Sequence, residues 1–310
     1  MLKGKCAIFS CLGLGDGLIS LVLAHNLKLN GAEVHTFHPM LDQMQGWFPH
    51  LPVLPFSSFQ DPSQYDHFFI FYEKSERMLN ILKTCQSLHP EKTHVLNPIA
   101  TMKTDYPYWE EGEFRGDLSF VHNLYNYAQN KLHLEKVTIS NGLLIPPSIH
   151  INKDPLRVII HPTSSKASKN WLKSRFIKLR CSLKERGFNP VFVVSPREYP
   201  DWKDEEALTF PSLNELATFV AGSGYMVGND SGIGHLASNL GLPTLTICRR
   251  ESYAKFWAPS WSRGKVIYPS NMIPNIKKLR IRDNYWAHFI SQKKVLKTFM
   301  NLYSSSKIPL

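Results

Sequence analysis

The chain has 310 residues, 43% hydrophobic and 20% charged, a balance that supports two compact domains and excludes disorder as the general state. Its formal net charge of +11 favours anionic partners (a nucleotide, a phosphorylated lipid, a membrane face or nucleic acid) without choosing among them. The chain has no run of about 20 apolar residues, and the apolar stretch after Lys3 and Lys5 is broken by Gly13, Gly15, Asp16 and Gly17, so neither a membrane span nor a signal peptide is expected.

Residues 5–11 read as a buried strand, 12–17 as a glycine-rich turn, 18–29 as a helix and 33–37 as a second strand, which together make a βαβ unit. The dinucleotide fingerprint G-x-G-x-x-G needs a third glycine where Leu18 stands, so a nicotinamide cofactor is poorly supported. Gly13, Gly15 and Gly17 instead let another ligand approach the backbone, and Asp16 projects from the carboxyl end of the strand, where open α/β sheets bind ligands. Residues 39–62 suggest a loop with a short helix. Strands are expected at 66–71 and 93–97, and helices at 76–88 and 117–134. The polar and aromatic stretch 101–116 reads as a loop, with a surface role weighed above a ligand-binding one.

Three prolines within residues 145–155 mark the domain boundary, placed at 150/151. A second strand series follows at 157–161, 190–195, 225–227, 244–248 and 265–268, with helices at 174–186 and 214–221. Ser212 and Glu215 form a capping box. After the first of these strands, Thr163, Ser164, Ser165, Lys166 and Lys169 place hydroxyls and ammonium groups in one turn, which would suit a diphosphate, with an exposed loop weighed above it when the turn is taken alone. Two further polar turns, Ser195 to Glu198 and Gly228 to Ser231, should converge on the same carboxyl edge. At the last of them Asp230 and Ser231 precede a helix, and an ordinary helix cap and an anion site explain them equally well. The five cysteines (Cys6, Cys11, Cys85, Cys181 and Cys248) are odd in number and lack metal-ligand spacing, which fits a reducing compartment. The basic tail at 277–303 reads as a solvated helix face, with contact to an anionic membrane surface as the minority reading.

Taken together, Gly13-Leu-Gly-Asp16, the loop ending Lys169-Asn-Trp171, Pro211-Ser-Leu-Asn-Glu215 and Gly228-Asn-Asp-Ser-Gly-Ile-Gly-His-Leu-Ala237 followed by Gly241-Leu-Pro243 resemble the lipopolysaccharide heptosyltransferases, glycosyltransferase family nine. The resemblance implies a GT-B architecture: an acceptor domain (1–150) and a nucleotide-sugar domain (151–283), both Rossmann-like and facing each other across a cleft, with residues 284–310 packing back on the first domain. It implies an inverting enzyme that needs no cofactor or metal and uses ADP-heptose as donor and a lipopolysaccharide core precursor as acceptor. No nucleic-acid partner is expected. The expected location is cytoplasmic, peripheral to the inner membrane.

By position Asp16 looks like the general base, with Gly13, Gly15 and Gly17 as the acceptor-side turn, and Lys169 like the group that neutralises the leaving diphosphate. Thr163, Ser164, Ser165, Lys166, Glu198, Leu213, Asp230, Ser231, Gly232 and His235 resemble the donor-binding set, with His235 read as structural rather than catalytic. Two departures from the family pattern stand out: Lys166 competes with Lys169 for the phosphate, and Arg249-Arg250 replaces a small-residue turn, which leaves the donated sugar open. A different nucleotide sugar, or binding without turnover, is the alternative.

Overall fold

The computed structural model describes residues 4–96, 114–273 and 280–306, so most of the 101–116 stretch and the basic residues at 274–279 lie outside the described residues. The chain divides into two compact units, 1–146 and 147–310. The division falls inside the proline-bearing break, four residues before the expected boundary.

In the first unit, strands β1 (Lys5–Phe9), β2 (Glu33–Phe37), β3 (Val53–Leu54), β4 (His67–Phe71) and β5 (Thr93–Leu96) form one parallel sheet in the order β3-β2-β1-β4-β5. Helix α1 (Leu14–Leu29) joins β1 to β2, α2 (Glu76–Leu88) joins β4 to β5, and α3 (Phe120–Asn126) continues into a π-turn at Tyr127–Lys131. Parallel strands covered on both faces read as apolar runs, and Cys6, Ala7, Ile8 and Phe9 in β1 are fully buried. Phe37 stacks on Phe9 at 5.0 Å, and Phe59 meets both rings edge-on, closing one face of the sheet.

In the second unit, β6 (Asp154–His161), β7 (Asn189–Phe192), β8 (Ser223–Asn229), β9 (Thr244–Ile247) and β10 (Gly264–Ile267) lie parallel in the order β10-β9-β8-β6-β7. Its helices are α4 (Lys173–Lys184), α5 (Leu213–Ala221), α6 (Gly232–Asn239), α7 (Glu251–Phe256), α8 (Ile281–Asn284) and α9 (Gln292–Ser306). Both sheets are doubly wound. The strand order reverses between β1 and β4 in the first unit and between β6 and β8 in the second, and ligands of such sheets bind outside the carboxyl ends at that reversal.

Two expectations need correction. Helix α1 begins at Leu14 rather than Leu18, so Gly15 and Gly17 are buried helical residues and not part of an open turn. A Cβ on Gly17 would lie 2.6 Å from Leu41 and 2.7 Å from His38, so this glycine permits close packing rather than ligand approach. The segment after residue 284, expected on the first unit, is built into the core of the second. Val295, Phe299 and Leu302 of α9 are fully buried in the core built from Trp171, Phe176, Phe188 and Tyr225. Phe299 meets Phe188 at 5.2 Å and Tyr225 at 5.5 Å. The Trp171 indole donates to the Ile290 carbonyl (2.9 Å) and the Trp286 indole to the Ser168 carbonyl (3.0 Å). An apolar stripe on an otherwise basic helix goes where apolar surface is left uncovered, here against α4 and the second sheet. Truncating Phe299 to Ala should therefore lower unfolding stability by about 3 to 5 kcal/mol, whereas the exposed Lys297→Ala should stay within about 0.5 kcal/mol, both read by denaturant titration.

Candidate active site

In the second unit the three polar turns expected at one edge do share it, because β6 pairs with β7 on one side and β8 on the other. Gly228 allows the ends of β6 and β8 to meet: a Cβ there would sit 2.4 Å from the His161 carbonyl oxygen. The next residue, Asn229, is 1% exposed, and its side chain accepts the Trp171 N–H at 2.9 Å and donates to the Pro162 carbonyl at 2.7 Å. One amide thus pins both ends of the loop that carries Thr163, Ser164, Ser165, Lys166 and Lys169.

Pinned this way, Lys169 places its Nζ 3.6 Å from Asp230 Oδ2. Lys166 is exposed, and its carbonyl closes the loop by accepting the Lys169 N–H at 2.8 Å and the Ser164 hydroxyl at 3.0 Å. Of the two competing lysines, Lys169 is the one at the acidic residue. Burial pushes the Asp230 carboxyl above its usual range while the Lys169 ammonium pulls it down. Burial likewise raises the nearby Cys248 thiol, with a further push from Asp230. Ser164 donates to Asn170 Oδ1 at 2.7 Å, and Ser165 is exposed. Buried Thr163 stands 3.4 Å from His161 Nε2, whose Nδ1 donates to the Val193 carbonyl at 2.7 Å.

Ser231 occupies the N-cap of α6 but makes no capping hydrogen bond, and its hydroxyl is buried without a partner. The caps of other helices behave differently: Ser75 and Ser212 accept the Met78 and Glu215 amides at 3.2 Å each. Of the two explanations for this turn, the helix-cap one is not what Ser231 does. Gly232 opens α6, and His235, one turn further on, is 5% exposed with Nδ1 unpartnered. Burial lowers the His235 pKa to about 4, opposed by its hydrogen bond to the Trp257 backbone, so the ring is neutral at physiological pH. Leu213 is the first residue of α5, after the expected capping box. Glu198 is half-buried, and its Oε2 accepts both the N–H (2.9 Å) and the hydroxyl (2.7 Å) of Ser195. Arg250 is committed to Asp283 through bonds of 3.0 and 2.5 Å, so it is not an open phosphate ligand.

In the first unit, Asp16 lies in the first turn of α1, beyond the carboxyl end of β1, where a carboxylate suits the positive end of the helix dipole. Its carboxylate folds over Gly13, where an added Cβ would meet Oδ2 at 2.4 Å. Two residues that the sequence left unassigned hold this corner. His38 accepts the Met40 and Leu41 amides on Nδ1 at 3.1 Å each and faces the Gly13 carbonyl with Nε2 at 3.2 Å, which makes Nε2 the protonated nitrogen. Glu73, beyond the end of β4, accepts the Leu12 N–H at 3.5 Å. The Cys11 thiol, between these groups, is raised by burial and then by Asp16 and Glu73. Neither role had a local signal in sequence, since each depends on strand order. Among the described residues no group of three or more His, Cys, Asp or Glu side chains could hold a metal ion.

The model of glycosyltransferase family 9 (heptosyltransferase) matches residues 72–285. Among solved structures, ADP-heptose lipopolysaccharide heptosyltransferase II of E. coli is similar at TM-score 0.67 and 14% identity, over 98% of this chain and all of that one. A family 9 glycosyl transferase of Veillonella parvula is similar at TM-score 0.69 and 16% identity, over 98% of this chain and 99% of that one. The E. coli heptosyltransferase WaaC with ADP is similar at TM-score 0.65 and 13% identity, over 96% of this chain and 99% of that one. No curated protein sequence matches.

Two outcomes are expected of this corner chemistry. Asn229→Ala leaves the Trp171 N–H and the Pro162 carbonyl unpaired in a buried place and should cost about 2 to 4 kcal/mol in chemical denaturation. Burial holds His38, like His235, near pKa 4, against an ordinary value near 6.5. The unfolded chain therefore takes up protons that the folded chain refuses. Stability that is complete above about pH 6.5 should fall toward pH 4, by up to about 3 kcal/mol for each histidine. His38→Gln should flatten that slope in unfolding measured across the window.

Proposed function

We propose, for a chain that belongs to glycosyltransferase family 9, the heptosyltransferases, that it moves heptose from ADP-heptose to a lipopolysaccharide inner-core acceptor with inversion at the anomeric carbon. Family membership makes the chain a glycosyltransferase of the heptosyltransferase type, and its two parallel doubly wound sheets are those of the GT-B structures it resembles. The observation that carries the finer reading is the Lys169 and Asp230 pair, held between the ends of β6 and β8 beside the unpartnered Ser231 hydroxyl.

In this reading the donor diphosphate takes Lys169 as its counter-charge, together with the Ser231 hydroxyl and the amides that open α6. An anionic phosphate is repelled by a carboxylate, so Asp230 faces sugar hydroxyls instead. Glu198 keeps Oε2 on Ser195 and offers Oε1 to a ribose hydroxyl, Leu213 borders the nucleotide, and the buried Nδ1 of His235 accepts from a donor hydroxyl. The acceptor hydroxyl oxygen attacks the anomeric carbon as the bond to the diphosphate breaks. Asp16 takes the hydroxyl proton and ADP leaves with its charge on Lys169. In this reading no step uses a metal or a cofactor. An acceptor on the inner membrane face would bring the chain to an anionic surface. Among the described residues no helix is long and apolar enough to cross a membrane.

Release of ADP from ADP-heptose in the presence of a core acceptor tests the reaction, and a panel of other nucleotide sugars tests the donor. Asp16→Ala should abolish release while ADP affinity changes less than about threefold; a near-normal rate would overturn the base assignment. Lys169→Ala should weaken ADP binding and slow release by about 100-fold. Ser231→Ala removes a hydroxyl that is buried without a partner, so it should leave stability unchanged or slightly higher while loosening ADP, seen by comparing thermal midpoints with and without the nucleotide. A parallel loss of stability and affinity would remove Ser231 from the donor site.

A further inference from the structure

His161 is the last residue of β6, at the reversal of strand order in the second sheet, and it is 6% exposed. Its two ring nitrogens have different neighbours. Nδ1 lies 2.7 Å from the carbonyl of Val193, one residue past the end of β7, and Nε2 lies 3.4 Å from the Thr163 hydroxyl. A carbonyl oxygen can only accept, so Nδ1 carries a proton whenever this bond is kept. Burial holds the ring below its ordinary pKa, opposed by the Val193 bond and by the Glu198 carboxylate from the turn after β7. The free chain therefore carries a neutral ring with a bare Nε2. On the β8 side stand the uncharged Gly228 and Asn229, and then the oppositely charged Asp230 and Lys169.

Thr163 has a single hydroxyl proton, and a bare Nε2 draws that proton toward the ring. The hydroxyl then presents only lone pairs to anything else that reaches it. A phosphate oxygen is itself an acceptor, so this is the wrong polarity for the ligand that the loop carrying Lys169 would hold. The mismatch disappears once Nε2 gains a proton: the ring donates to the threonine oxygen, and the hydroxyl proton is freed to point at the ligand. Both ring N–H groups are then answered, one by Val193 and one by Thr163, with Glu198 as the counter-charge.

We propose that His161 is a positioning residue for the donor diphosphate: as an oxyanion meets Thr163, a proton from solvent goes onto His161 Nε2, which donates to the threonine oxygen and turns the hydroxyl proton toward the oxyanion. Release of the nucleotide returns the proton to solvent. The inference rests on the donor reading of this loop for the identity of the oxyanion. ADP titrated calorimetrically into the full chain near pH 7, in buffers of different ionisation enthalpy, counts the protons taken up on binding. His161→Asn keeps a side-chain N–H for the Val193 carbonyl but cannot take the proton, and subtracting its value removes any proton change of ADP itself. The unaltered chain should take up about half a proton or more beyond that variant, and its ADP affinity should fall about threefold more steeply for each unit rise in pH. Thr163→Val, which removes the linking hydroxyl, should lose the same uptake, whereas Thr163→Ser should keep it. A ring that only fills space would move none of these readouts. Should His161→Asn fail to fold, the two Thr163 variants decide the matter by the same count. ADP binding with equal proton uptake in the unaltered chain and the variants overturns the inference and leaves the donor reading standing. Absence of saturable ADP binding overturns the donor reading and the inference with it.

Discussion

The second unit's site depends on one buried amide. Asn229 stands at the last position of β8, and its side chain ties the first and last parts of the loop after β6 through Pro162 and Trp171. A loop of that length would otherwise sample many conformations, and holding Lys169 over Asp230 would cost entropy at each binding event. The bridge moves that cost into folding, where the surrounding core offsets it. Trp171 joins the two: its backbone N–H meets Asn229, its indole meets Ile290, and its ring packs on Phe176 at 4.8 Å. Core packing and site geometry thus share a residue, which explains why the C-terminal segment belongs to this unit.

Around that bridge the site holds polar groups that folding alone would not favour. The Ser231 hydroxyl and His235 Nδ1 are buried without partners, and the Asp230 carboxylate is desolvated beside a single lysine. Each costs stability in the unliganded protein. A ligand bound there would complete their hydrogen bonding, whereas structural caps such as Ser75 and Ser212 are satisfied within the chain. The first unit shows the complementary device: a neutral His38 braces the Gly13 carbonyl, so the turn holding Asp16 is kept in place without adding positive charge beside the carboxylate.

Much of the element pattern was legible because it is local. Apolar runs of four to five residues, and apolar residues at helical spacing, mark β4, α2, β9 and α5 within a residue or two of their observed ends. The start of α1 was missed because glycines at 13, 15 and 17 read as a turn, and only the packing of His38 and Leu41 against Gly17 shows why they tolerate a helix. Strand β3 has two residues, too few to leave a period.

The amino-acid order by itself determined which chemical groups this protein carries and roughly where each strand and helix runs, since propensity and periodicity act over a few residues. It also carried the family resemblance, through the order and spacing of the motifs at 13–16, 169–171, 211–215, 228–237 and 241–243. Tertiary structure alone decided that Lys169 rather than Lys166 meets Asp230, that Arg250 is consumed by Asp283, and that α9 closes the second core. Each of these is a choice between partners distant in sequence, and such choices follow from strand order and burial, which no local pattern encodes.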